Sequence, residues 1–258
     1  MLTEIELTWV VSGYEKELRM ISTYTLVTVI GIIYPAFIAL THKKTNQRIK
    51  ADGKYRLVDY RQLIIIFWVL TIFIIANLFL DDKLKLNFFP TINTIGIIIF
   101  ALTLVVVGLL IVQSRLTIEN PNDVKDQMID GYHYLPKTKQ ELNWFYSLSL
   151  SAGICEEIIF RWFVFSFLLN ETNLLSAFIL TNIIFAVTHM GTGKRNILTT
   201  FILGLLFTTI YYFTNSIWLP IILHCAIDLY TGKIGYKTEK ALKDLREKSE
   251  NVVTAEMG

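Results

Sequence analysis

The chain has almost no cysteine, and none at a spacing that chemistry uses. Cys155 and Cys225 are the only two. They stand far apart inside apolar stretches, which excludes a zinc knuckle or a CxxC redox centre and leaves them as small packing residues. There is no HExxH, so a zincin-like membrane protease is excluded. No GxGD accompanies a second membrane aspartate, and no GxS elbow supplies a serine for a rhomboid-like Ser–His pair; nothing local recommends pairing Cys155 with a histidine. Met1–Arg19 lacks a basic start and an apolar core and instead carries Glu4, Glu6, Glu15 and Glu17. A cleavable signal peptide is therefore not expected, and the first apolar run serves as its own insertion signal. No internal repeat, low-complexity segment or second domain is visible, which weighs against a transporter or channel.

What the chain has in excess is apolar residues. Of its 258 residues 53% are hydrophobic, and the mean hydropathy is +0.49, more than an ordinary soluble domain carries. Several runs reach the roughly 17–25 residues that span a bilayer as helix. The expected fold is all-α, a polytopic transmembrane bundle of about seven spanning helices: Met20–Thr41 with a kink at Pro35, Leu63–Leu80, Thr91–Gln113, Leu142–Leu169, Leu174–Met190, Ile197–Phe213 and Ile217–Tyr230. Residues 1–19 read as an interfacial segment, 20–231 as the integral membrane domain, and 232–258 as a charged tail. The loop His42–Gln62 holds Lys43, Lys44, Arg48, Lys50, Lys54, Arg56 and Arg61 against Asp52 and Asp59. The positive-inside rule makes it cytoplasmic, together with Ser114–Glu141, Gly191–Asn196 and the tail. Asp81–Pro90, Asn170–Asn173 and the N-terminus fall outside. No aromatic interleaving of the basic loop speaks for nucleic acid. Asn120–Asp123 reads as a turn starting a short helix. Thr238 followed by EKALKDLREK reads as a separate capped helix with Glu239–Lys243 and Asp244–Lys248 pairs.

Charge inside the apolar runs is rare, and it concentrates in Gly153–Trp162, GICEEIIFRW. Ionisable groups at bilayer depth are costly unless they find partners in a bundle interior, so this stretch is a candidate site. At helical spacing Glu157 and Arg161 are i,i+4 neighbours, whereas Glu156 points about 100° away. The simplest assignment pairs Glu157 with Arg161 as structural support and leaves Glu156 free for chemistry. Two further helices add Asn182, Phe185 and His189 close to one stripe, and His224 with Asp228. Two histidines and a glutamate are the set that activates water, with the glutamate as general base. Glu156, His189 and His224 would equally satisfy a catalytic zinc with one open position, so the residues leave a zinc mechanism and a cofactor-free glutamate mechanism both open.

The motifs EEIIFR, Phe185-Ala-Val-Thr-His189 and His224-Cys-Ala-Ile-Asp228 fit EExxxR, FxxxH and HxxxN/D in that order on successive helices. Over about Lys137–Thr231 the chain resembles the CPBP family (CAAX proteases and bacteriocin-processing enzymes, also called Abi proteins). The resemblance implies a glutamate-dependent intramembrane endopeptidase of the cell membrane, bacterial by its Lys-, Ile- and Asn-rich composition, acting on a membrane-associated peptide or precursor such as a bacteriocin leader. It implies Glu156 as catalytic glutamate, His189 as its helper, and His224 with Asp228 as oxyanion stabilisers. An ionised Asp228 only accepts hydrogen bonds, so it must be protonated, orient His224 or help hold a cation. The alternative is a non-catalytic relative acting in bacteriocin immunity or on a sensor kinase.

Overall fold

The computed structural model describes residues 17, 20–78, 94–128 and 130–256. Among them there is no strand; the chain is a helical bundle. Helix α1 covers Met20–Ala51. Pro35 has no N–H to give back along the helix, and immediately before it the ladder widens into a π-helical turn, Val29–Ile33, the form the expected kink takes. α1 does not stop at Thr41. It runs on to Ala51 because nothing in Thr41–Lys50 breaks a helix once the apolar residues end; Asp52, extended at φ −149°, ends it. After Gly53, α2 begins at Lys54 and reaches Leu78. The basic loop is thus two helix ends around a tight turn, in which Asp52 accepts from the Lys54 N–H at 3.0 Å and Arg48 stacks 4.4 Å over Tyr55.

α3 is Thr94–Gln113 and α4 is the short Pro121–Gln127 that follows the Asn120 turn, with Pro at its first position. α5 begins as Lys139–Glu157, passes through a π-helical stretch, Ile158–Phe165, and closes as Ser166–Glu171. α6 is Leu174–Thr188, α7 Lys194–Thr214 and α8 Trp218–Glu256. α8 corrects the expected boundary at Tyr230: it absorbs the tail in one rod of 39 residues. Thr238 is no cap, since its hydroxyl is spent on the Ile234 carbonyl (2.9 Å). Nor does Glu239 pair with Lys243. It takes Lys137 Nζ at 3.0 Å and the Tyr132 hydroxyl at 2.7 Å, tying the tail to the start of α5. Lys243 faces Glu247 instead.

By length and composition four helices among the described residues can cross a membrane: Met20–Ala51, Lys54–Asn77, Thr94–Gln113 and Arg195–Thr214. α6 is apolar but shorter, and α5 and α8 carry charged side chains within their apolar parts, which separates four crossings from the seven expected. The loop Asp81–Pro90 and, except for Glu17, the interfacial segment lie outside the described residues.

α5 is the centre of the bundle. It packs along α8 and α2, its π-helical stretch meets α6, and α6 and α7 lie side by side. Ile159, Phe160, Trp162, Phe163, Val164 and Phe165 are all buried in the main apolar cluster. Outside, α3 turns Ile97, Leu102, Leu104, Leu109 and Val112 outward, the orientation that hydrocarbon chains reward and water does not.

Candidate active site

The helix that carries the Glu-Glu pair is anchored before it enters the bundle. Thr138 and Glu141 form a reciprocal capping box. Glu141 accepts from the Lys137 and Thr138 N–H groups at 2.6 and 3.0 Å, and Arg56 of α2 bonds its other oxygen at 2.6 Å. Arg56 also donates to the His133 carbonyl. A buried ion pair with its hydrogen bonds filled fixes where α5 starts more than it adds net stability.

Four turns on, α8 crosses α5 closely at Gly153. A Cβ there would overlap Cys225 Sγ and stand 3.0 Å from the Cys225 backbone nitrogen. Small residues of this kind let membrane helices approach, and here they bring His224 against the Glu-Glu pair. The π-helical stretch starts directly after Glu157, in line with the concentration of such turns at functional sites.

The polar groups meet as follows. Glu157, fully buried, contacts Arg161 Nη1 with Oε1 at 3.1 Å and accepts from His224 Nδ1 with the same atom at 2.7 Å. Arg161, also fully buried, donates from Nη2 to the Gly204 carbonyl at 3.3 Å; its guanidinium lies 4.3 Å over Phe185 and 5.3 Å from Phe207. The expected Glu157–Arg161 pair is present, yet Glu157 is more than support for its own helix, because it also holds His224. The other His224 nitrogen, Nε2, lies 3.8 Å from Glu156 Oε2 and 3.6 Å from Asp228 Oδ2. Phe207 stacks on the imidazole at 5.1 Å. Glu156 Oε2 is buried with no hydrogen-bond partner among the described residues. Asp228 is the most open of the group, its side chain 34% exposed.

His189 caps the C-terminus of α6. Its Nδ1 bonds the Phe185 carbonyl at 3.0 Å and meets the Thr188 hydroxyl at 3.2 Å. A carbonyl only accepts, so Nδ1 carries the proton and Nε2 keeps a free lone pair. Phe185 stands between the two histidines, 4.9 Å from His189 and 6.3 Å from His224. No hydrogen bond joins His189 to Glu156 among the described residues. Asn182 is support: its amide bonds the Phe178 carbonyl (2.8 Å) and exchanges bonds with Thr208 of α7. Gly204 leaves room for it, since a Cβ there would come 2.5 Å from Asn182 Oδ1. Cys155 and Cys225 are buried free thiols.

Among the described residues no three His, Cys, Asp or Glu side chains are grouped to hold a metal ion, and the Phe185 ring packs against both His189 and His224. The sequence reading also missed Phe207 and the Gly153 and Gly204 contacts. Glycines within apolar helices were the available signal; the Phe207 stacking had none.

Residues 138–230 match the family model described as type II CAAX prenyl endopeptidase Rce1-like. A Bacillus subtilis (strain 168) protein named "Putative membrane peptidase YdiL" is 32% identical over 82 residues, which are 32% of this chain and 33% of that protein. The match thus spans about a third of the relative's length. No solved structure matches the chain. The matched segment holds α5, α6, α7 and the first part of α8, and with them every charged side chain gathered around Glu156; over this segment the chain is similar to the Rce1-like CAAX prenyl endopeptidases.

Proposed function

We propose that the protein is an intramembrane endopeptidase in which Glu156 is the general base, His189 helps hold the attacking water, and His224 with Asp228 faces the developing oxyanion. The observation that carries the reading is the state of Glu156. It is a buried carboxylate oxygen with no hydrogen bond, next to a histidine whose other nitrogen is fixed. Such an acceptor is costly to bury and suited to receive a proton.

The steps balance on this chain's own residues. Water gives a proton to Glu156 as its oxygen bonds to the peptide carbonyl carbon. The His189 Nε2 lone pair accepts a hydrogen bond from the water's second O–H, whose hydrogen stays on the oxygen and ends on the product acid. The carbonyl oxygen becomes an oxyanion. Since the His224 Nδ1–H is spent on Glu157, donation to the oxyanion from Nε2 requires the imidazolium form, with the Glu157 carboxylate as its counter-ion. Glu156 then returns its proton to the amine as the C–N bond breaks. Asp228, 3.6 Å from His224 Nε2, lies beside the imidazolium and orients it. Arg161, clasped by Phe185 and Phe207, keeps Glu157 in place.

The substrate class is a membrane-associated peptide or precursor reached from the cytoplasmic side, with the N-terminus outside and the C-terminus inside. In support, the basic ends meet at one end of the bundle: Lys237 of the tail bonds the Ser114 and Leu116 carbonyls at the end of α3, and Arg56 bonds the start of α5. The test is a mass-spectrometric comparison of membrane and secreted peptides from cells carrying the wild type or Glu156→Gln at matched levels. A precursor left uncut only in the variant is expected, with a rate loss of about 10²–10⁴-fold. Identical peptide profiles would overturn the proposal.

A further inference from the structure

The matched segment begins at residue 138, yet the turn that presents His189 is held by α1, far outside it. His189 has φ −94° and ψ 11°, and the chain then makes a short 3₁₀ turn, Met190–Thr192, ending at Gly193 with φ +103°. Two sides of that turn are clamped. On one side Asp130 accepts from the Arg195 N–H at 3.3 Å and fills the space where a Gly193 Cβ would be, 2.5 Å from its own Cβ. On the other side Asn46 of α1 donates from Nδ2 to the Gly191 carbonyl at 2.7 Å, and His42, one helical turn earlier, lies against Gly191. The Asn46 amide oxygen is buried without a partner. Burying that acceptor unpaired costs free energy, so the one bond Asn46 makes outside its own helix, to the Gly191 carbonyl, is kept at a cost.

We infer that Asn46 is a positioning residue for His189: its N–H donor fixes the Gly191 carbonyl and, through it, the direction of the His189 ring. The inference rests on the peptidase reading, in which His189 helps hold the attacking water. It assigns a part in the active site to α1, which lies outside the matched segment.

The test uses the full chain reconstituted in lipid nanodiscs, as wild type, Asn46→Asp, Asn46→Ala and Asn46→Gln. Asn46→Asp keeps the shape and loses the N–H donor; Asn46→Gln keeps a donor. The first readout is carbethoxylation of each histidine by diethyl pyrocarbonate, resolved by peptide mass spectrometry. Asn46→Asp and Asn46→Ala are expected to change His189 labelling at least about threefold, His133 and His224 staying at the wild-type rate, and Asn46→Gln returning toward wild type. The second is cleavage of the precursor defined by Glu156→Gln, where kcat falls about tenfold or more at unchanged KM. Unchanged His189 labelling in both Asp and Ala variants overturns the inference. So does a change spread equally over His133, His189 and His224, which signals general loosening. If the wild type cleaves nothing, the peptidase reading fails while the labelling still decides whether Asn46 orients His189.

Discussion

α3 and α5 are both helices of a membrane bundle, and they use apolar residues in opposite ways. α3 is nearly all Ile, Leu, Val and Phe, and it buries only Gly96 and Thr103. α5 is less apolar along its first half, and it buries Ser149, Ser151, Gly153, Glu156, Glu157 and then every residue from Ile159 to Phe165. In water the greasier helix would be the inner one. In a bilayer the lipid is as apolar as leucine, so the inside is marked by small and polar residues that need protein partners.

Five variants sharpen or break this contrast. The largest effect is expected from Arg161→Ala, which takes the guanidinium from the buried Glu157 and leaves it His224 alone; unfolding in nanodiscs should lose about 3–5 kcal/mol, whereas Leu109→Ala on α3, 63% exposed, should shift the midpoint little. The double change Glu157→Gln with Arg161→Met should recover much of that stability without restoring cleavage. Next comes a pair of glycines. Gly153→Ala forces α8 away from α5 and should cost about 1–3 kcal/mol along with activity. Gly108→Ala on α3, where nothing lies within 4 Å, should be neutral or stabilise by up to about 1 kcal/mol. If both glycines respond alike, the inside–outside assignment of the two helices is wrong.

The smallest effect lies at the polar end of the bundle. Burial, with the Lys50 and Arg56 charges adding to it, pulls His133 from 6.5 down to about 4. The unfolded chain therefore takes up this proton first as pH falls. The contribution is full above about pH 6.5 and is lost on the way down to pH 4. Because the ring is only half-buried, the change should not exceed about 1–2 kcal/mol. His133→Gln should flatten the fall of the thermal midpoint between pH 7 and 5; an unchanged slope would mean another group carries it.

Much of this was legible in the sequence. Apolar runs gave the helices, and the rarity of charge inside them picked out Glu156, Glu157, Arg161, His224 and Asp228, which the fold gathers around Glu156. Continuity was not legible. α1 and α8 run past their apolar residues because helix propensity continues into Thr41–Lys50 and through the tail; no Pro interrupts either extension, and Gly232 and Gly235 stay helical with Phe145 and Leu135 packed against them. The second bond of Glu157 was also hidden, since i,i+4 spacing reports neighbours on one helix and says nothing of a histidine 67 positions away.

The unbroken length of α8 imposes a phase relation. His224 is locked to Glu157 near one end, and Glu239 is locked to Lys137 and Tyr132 farther along the same rod. One residue added between Asp228 and Glu239 would turn one set of contacts about 100° against the other, so both could not be kept. The spacing of these two points along α8 is therefore as constrained as the identity of the residues at either end.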